Sequence, residues 1–202
     1  MKKDLVILVA DLDMEQALKG LLSRQPSLGS GPFTYDIFRH PQKDPGCFND
    51  AHHFLRSQSQ LYDYAIIMFD FEGSGQEQKD IKTLQEDLEI RLSKNGWQDR
   101  SCVIVIAPEL EVWIWSDSPQ VDACLGWGNQ QPNLRTWLKL QGHIKENAKP
   151  NNPKLTLEVS LQKVGKRPSA SIFRHLGEKV SINRCTDPSF QRLLNTLKKW
   201  FH

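Results

Sequence analysis

Tyr64-Ala65-Ile66-Ile67-Met68-Phe69-Asp70-Phe71-Glu72-Gly73-Ser74-Gly75 decides how this chain is read. It is a continuous apolar run ending in two carboxylates two residues apart, followed at once by glycines. An apolar run of this length, without polar alternation, fits a strand covered on both faces, as in a parallel sheet between layers of helices. The carboxylates then stand at the C-terminal end of the strand, where open α/β sheets receive their ligands. Two acids held so close repel each other unless a cation or a shared proton offsets the charge. A divalent ion such as Mg²⁺ or Mn²⁺, held by a few carboxylates, water and substrate phosphate, is a natural counter-charge. The plain alternative is a strand end whose acids face water.

The same order recurs along the chain. Asp4 to Ala10 reads as a second buried strand. It leads into Asp11-Leu12-Asp13-Met14-Glu15 and a helix whose Met14, Ala17, Leu18, Leu21 and Leu22 follow the helical period. Asp13 is expected to cap that helix by accepting from its first-turn amides, which leaves Asp11 at the strand end without such a duty. Phe33 to Arg39 predicts a third strand, less apolar and so nearer a sheet edge. The prolines and glycine of His40-Pro-Gln-Lys-Asp44-Pro-Gly-Cys47 predict a loop, with a helix from Asp50 to Gln60. His40, Asp44, Cys47, His52 and His53 could ligate a metal, but they show no standard zinc spacing. After Gly75, Ile81, Leu84, Leu88 and Leu92 mark one face of a long helix closed by Asn95-Gly96. Ser101 to Ala107 predicts a fourth buried strand, running into Pro108-Glu109-Leu110-Glu111-Val112-Trp113-Ile114-Trp115. Extended, Glu109, Glu111, Trp113 and Trp115 would share one side; in a helix, Glu109 and Trp113 would still share a face. Either way a second acidic pair follows a second buried strand.

Strands alternating with helices predict an α/β fold, a mostly parallel sheet flanked by helices. Residues 1–127 are expected to form this core, and residues 128–202 a basic, mainly helical extension packed on it. Residues 128–153 are rich in Asn, Gln, Gly and Pro around a short helix at Leu134–Leu140. Leu155 to Val164 alternates apolar and polar residues as a strand does, though a helix fits too. Pro168 to Gly177 reads as a short helix. Asp187-Pro188 predicts an N-cap and a first-turn proline for a helix whose Phe190, Leu193, Leu194, Leu197, Trp200 and Phe201 form a stripe for docking on the core.

The formal net charge of +2 hides a division of sign. Residues 1–130 hold 12 Lys and Arg against 20 Asp and Glu, a balance of −8; residues 131–202 hold 14 against 4, a balance of +10. Such asymmetry points to a polyanionic partner, against the alternative of a basic face that neutralises the acidic half of its own molecule. Lys163, Lys166, Arg167 and Arg174 are the candidate nucleic-acid contacts. Cys47, Cys102, Cys124 and Cys185 lack CxxC spacing, so neither a zinc ribbon nor a disulfide framework is indicated. The N-terminus lacks the features of a signal peptide, and no stretch approaches the roughly 18 apolar residues of a membrane span. A cytoplasmic protein with no membrane partner is expected.

The succession of strand, acid and helix, then Asp70-Phe71-Glu72, then Glu109-Leu110-Glu111, resembles a TOPRIM-type domain over residues 4–117. That family, found in topoisomerases, primases and nucleases, places a Glu after its first strand and an Asp-x-Asp after a later one to hold Mg²⁺ for phosphodiester chemistry. Asp70-Phe71-Glu72 matches the second motif with Glu in place of the final Asp. The Glu-Gly of the first motif falls on Ala10-Asp11, leaving Asp11 as the nearest carboxylate. Four segments resemble more closely a small TOPRIM-like component of bacterial methylation-associated anti-phage defence systems. They are Leu8 to Glu15, His40 to Cys47, Phe69 to Gly73 and Pro108 to Asp117, and the likeness continues through Arg167-Pro168-Ser169 and the final helix. The resemblance implies a role in defence beside a DNA methyltransferase and other system proteins.

Two functions are expected from this reading. In the first, the chain is a metal-dependent nuclease or related phosphoryl-transfer enzyme. Asp11, Asp70 and Glu72 would hold Mg²⁺ or Mn²⁺, Glu109 or Glu111 would complete the shell, and basic residues of the C-terminal half would track phosphates. Asp11, Asp70, Glu72 and Glu109 are its candidate catalytic residues, with His40 and His53 as candidate proton carriers. In the second, the chain keeps the fold without catalysis and senses nucleic acid, a nucleotide or a phage component. Trp113, Trp115 and Trp127 would then be a stacking platform, unless they are core. A zinc hydrolase built on the His/Cys segment is the third and weakest reading.

Overall fold

Each apolar run becomes a strand of one sheet. The structure, a computed structural model, describes residues 2–145 and 149–202; Met1 and residues 146–148 of the Asn-, Gln-, Gly- and Pro-rich stretch lie outside the described residues. Strands β1 (Lys3–Val9), β2 (Tyr35–Arg39), β3 (Tyr62–Asp70) and β4 (Ser101–Ile106) pair in parallel in the order β2-β1-β3-β4. Leu5 to Val9 of β1 and Ala65 to Phe69 of β3 have no exposed surface, as central strands covered on both faces require. β2 lies at an edge and is only half buried, in keeping with its mixed composition.

Helix α1 (Leu12–Leu22) carries the chain from β1 to β2, α2 (Lys43–Phe54) from β2 to β3, and α3 (Ile81–Leu92) from β3 to β4. The first connection crosses the sheet in one direction and the next two in the other. Right-handed crossovers therefore put α1 on one face and α2 with α3 on the opposite face. The reversal falls between β1 and β3, whose C-terminal ends border the crevice that such sheets use for ligands.

Among the described residues five further helices follow: α4 (Gln120–Leu125), α5 (Leu134–Leu140), α6 (Pro153–Lys163), α7 (Ala170–Lys179) and α8 (Pro188–Trp200). Helix α7 packs directly on α1, where the two backbones nearly touch through Gly20 and Gly177. A methyl group on Gly177 would lie 2.5 Å from the Ala17 carbonyl oxygen and 2.9 Å from the Leu21 nitrogen. Helix α8 begins at Asp187, whose side chain accepts from the Ser189 amide, with Pro188 in the first turn, and it packs beside β4. There Arg192 Nε donates to the Val103 carbonyl at 2.9 Å, and its Nη2 pairs with Glu89 of α3 at 2.7 Å. Glu89 Oε1 in turn accepts from the Val103 amide, so two side chains occupy the outward hydrogen-bonding groups of Val103 in that edge strand.

The structure corrects three local expectations and decides one that the sequence leaves open, Leu155 to Val164, in favour of a helix. The segment from His40 to Cys47 is not all loop, because α2 begins at Lys43. Pro45 sits in its first turn, where a missing N–H costs nothing, and Gly46 leaves room for the His40 ring, whose Nδ1 and Cε1 a Cβ would strike. That helix ends at Phe54 rather than Gln60, and Ser57–Gln60 form a separate 3-10 turn. Leu155 to Val164 is the body of α6, so its alternation is not that of a strand. Finally, Asp11 and not Asp13 caps α1: Asp11 is extended, and its Oδ1 accepts from the Met14 amide at 2.9 Å. Asp13 falls inside the first turn.

The tryptophans are core, not a platform. Trp113, Trp115 and Trp127 are at most 8 % exposed. Each indole donates inward, Trp113 to Ser189 Oγ, Trp115 to the Pro153 carbonyl and Trp127 to the Ser160 carbonyl. All three acceptors lie on α6 or α8, so the segment after β4 ties the C-terminal helices to the sheet.

Candidate functional site

The C-terminal ends of β1, β3 and β4 gather acids from four segments of chain. Asp70 is the last residue of β3, and its Oδ1 is buried with no hydrogen-bond partner among the described residues. Its backbone N–H donates to Asp44 Oδ1 at 2.8 Å, which fastens the first turn of α2 to the end of β3. Burial holds the Asp70 carboxyl well above the ordinary range, and the charges of Asp44, Glu111, Asp11 and Glu109 push it further in the same direction. Burial also raises Asp44, with Asp11 adding to the effect. Glu111 is raised to about 7, chiefly by burial and then by Glu109. Asp13 is raised by burial and by Asp11. Among the described residues six carboxyl groups thus bear on one another around the crevice between β1 and β3.

Among the described residues two cations bear on them, Lys43 on Asp44 and Lys154 on Glu109, Glu111 and Asp13. Lys154 Nζ pairs with Glu109 Oε1 at 2.7 Å. The Lys154 charge opposes the upward shifts of Glu111 and Asp13. Its own pKa is raised by the hydrogen bond to Glu109 and by the Glu109, Glu111 and Asp70 charges. The chain places this lysine by a short series of local constraints. Asn152 caps α6 by accepting from the Leu155 amide, Pro153 opens its first turn, and the Pro153 carbonyl is held by the Trp115 indole. Glu109 and Glu111 flank the start of the 3-10 turn Leu110–Trp113 that presents them.

Of the residues expected at the site, the structure brings together Asp11, Asp70, Glu109 and Glu111. Glu72 is exposed beyond the strand end, where its amide donates to the Pro108 carbonyl. The glycines after it form a turn with Gly73 and Gly75 at positive φ, and their amides donate to Glu77 Oε1. Asp44, Asp13 and Lys154 join the site unexpectedly. Asp44 carries metal-ligating chemistry in the sequence, but its meeting with Asp70 depends on α2 starting seven residues earlier than its composition suggests. No sequence signal marks Lys154.

The His/Cys segment does not form a zinc centre. His40 is buried and its Nδ1 accepts from the Gln42 amide, Cys47 is buried with its thiol pushed up by burial and by Asp44, and the rings of His52 and His53 on α2 lie 4.1 Å apart, tilted by 38°. Among the described residues no three His, Cys, Asp or Glu side chains stand as a ready metal-holding group. The acids nevertheless suit a hard dication in donor chemistry and charge, since they are all carboxylate oxygens and Asp70 Oδ1 has no partner. An open cleft lined by Asp11, Glu15, Arg39, His40 and Lys43 adjoins the cluster at Asp11. Within it Arg39 pairs with Glu15 at 2.9 Å, and Lys43 has a backbone φ of +51°, uncommon outside glycine.

On the basic side, Lys163, Lys166 and Arg167 are exposed at and beyond the end of α6. Arg174 is exposed on α7 and paired with Glu178 at 3.0 Å. Among the described residues no helix is long and apolar enough to cross a membrane. Compared with known proteins, the chain matches no protein-family model, no curated protein and no solved structure.

Proposed function

We propose that the carboxylate cluster is a divalent-cation site for phosphoryl chemistry. On this reading the chain is a TOPRIM-like, nuclease-like component of an anti-phage defence system, working beside a DNA methyltransferase and other system proteins. Asp70 carries the reading: a buried carboxylate oxygen without a partner, surrounded by other acids at the switch point of a parallel sheet, is stabilised by a proton or by a cation. Asp70, Asp44, Glu109 and Glu111 would hold Mg²⁺ or Mn²⁺. Asp11 would face it while capping α1. The bound ion would polarise a phosphate oxygen and lower the pKa of an attacking water. Arg39 and Lys43 offer positive charge along the adjoining cleft, and Lys163, Lys166 and Arg167 would follow a nucleic-acid backbone.

Asp70→Asn is nearly isosteric and removes one negative charge, so it separates chemistry from folding. The variant is expected to fold with equal or higher melting temperature, to lose Mn²⁺-dependent cleavage of nucleic acid, and to abolish phage protection by the complete system. Protection retained by Asp70→Asn, together with no cleavage by the wild type in Mg²⁺ or Mn²⁺, would sink the proposal.

A second reading, a non-catalytic sensing subunit, is favoured by two observations: Asp11 is engaged as a helix cap, and Lys154 already stands among the acids. That reading predicts that Asp70→Asn keeps protection while charge reversal on the basic face abolishes it.

A further inference from the structure

Lys154 is a strange neighbour for a cation site. It enters from α6, 45 residues beyond Glu109, and its ammonium lies 2.7 Å from Glu109 Oε1. The groups that feel its charge are Glu109, Glu111, Asp13 and Asp70. Its placement is built, not incidental: the Asn152 cap, Pro153 and the buried Trp115 indole hold the start of α6 against the 3-10 turn that carries Glu109 and Glu111. The carboxylates are not arranged as a ready chelating group among the described residues, while Asp70 Oδ1 is buried and unpartnered beside them.

We propose that Lys154 is the resident counter-cation of the carboxylate cluster, and that a divalent ion gains the site only in competition with it. The inference rests on the cation reading of the cluster and adds what controls entry to it. A unit positive charge a few ångströms from a dication repels it strongly in a partly buried setting. Glu109 cannot serve the lysine and the ion equally well. Binding of the ion therefore requires the Lys154 side chain to leave Glu109, turning toward the solvent or toward the phosphate of a substrate. The start of α6 becomes a gate whose closed form is the cation-free protein.

The test is calorimetric titration of the full chain with MnCl₂ alone, for wild type, Lys154→Met and Lys154→Arg. Lys154→Met keeps much of the aliphatic stem and removes the charge, and it is expected to bind Mn²⁺ at least tenfold more tightly than wild type. Lys154→Arg retains the charge and is expected to bind within about threefold of wild type. Mn²⁺ binding by Lys154→Met with none by wild type supports competition in its strongest form. Equal or weaker binding by Lys154→Met, with wild type binding well, overturns competition and leaves the cation reading standing. Absence of binding by all three proteins overturns both. Should Lys154→Met fail to fold, as read by circular dichroism, Glu109→Gln decides instead: it frees the lysine from its partner and must weaken Mn²⁺ binding less than Asp70→Asn does if Glu109 is shared with Lys154.

Discussion

At the scale of single residues, the acids of the crevice make stability depend on pH in an unusual direction. Glu111 is raised from 4.5 to about 7 in the folded chain, first by burial and then by Glu109, with Lys154 opposing. Between those values the folded state holds more protons than the unfolded state, so stability falls as pH rises. Its contribution is fully present below the unfolded pKa and is lost through the folded one; Asp70, raised well above its ordinary value by burial, acts in the same sense. Melting temperature should therefore decline from pH 4.5 to pH 7.5, and Glu111→Gln should flatten that decline; an unchanged slope in the variant would remove Glu111 as its source. How much of this site the sequence reveals follows from distance along the chain. Asp70 is legible because its apolar run predicts a buried strand, and Glu109 and Glu111 because they follow another. Asp44 lies 26 residues from its contact with Asp70, and Lys154 lies 45 from Glu109. No local pattern states which helix start meets which strand end. The exchange of Asp13 for Asp11 as cap is a shift of two residues between equally good capping side chains, decided by where β1 stops.

At the scale of elements, the central strands are read from unbroken apolar runs, because burial on two faces leaves no polar positions, and the long helices from periodicity, because burial on one face imposes it. The failures come where packing overrules composition. Pro45 and Gly46 break helices in most contexts, yet a first-turn proline is harmless and the glycine is demanded by the His40 ring. α6 mimics strand alternation because Leu157 and Leu161, four residues apart, share the buried face while Leu155, two residues earlier, is left exposed. The α1–α7 contact yields a sharp expectation. Gly177→Ala would gain up to about 1 kcal/mol of helix propensity, but its methyl meets backbone atoms of Ala17 and Leu21 that cannot rotate away. Overpacking of this kind costs roughly 1–3 kcal/mol or more, so the clash wins. Denaturant unfolding should show a net loss of roughly 1–2 kcal/mol, while His175→Ala on the exposed side of the same helix stays within about 0.5 kcal/mol of wild type. Equal stability of Gly177→Ala would mean the two helices are free to separate.

At the scale of the molecule, the division of charge remains its plainest property, with the acids at the sheet crevice and Lys163, Lys166 and Arg167 exposed around the end of α6. Nucleic-acid affinity carried by phosphate contacts falls steeply with salt and ignores sequence. Lys163→Glu combined with Lys166→Glu should weaken binding to any nucleic acid and flatten the salt dependence without lowering the melting temperature. Binding that is insensitive to salt, or no binding at low salt, would remove this surface from the account.

The capped edge of β4 has a consequence in time. The Val103 amide can be taken by Glu89 as soon as β4 forms, because Glu89 precedes it in the chain. The Val103 carbonyl must wait for Arg192, 89 residues downstream. At roughly 5–20 residues per second a ribosome needs about 4–18 s to make that stretch. For that interval the nascent sheet offers an open, apolar rim of the kind that recruits stray strands. The arrival of α8 thus closes a vulnerable period of synthesis, and lesions in α8 should show first as insoluble product and only second as lowered stability of whatever folds.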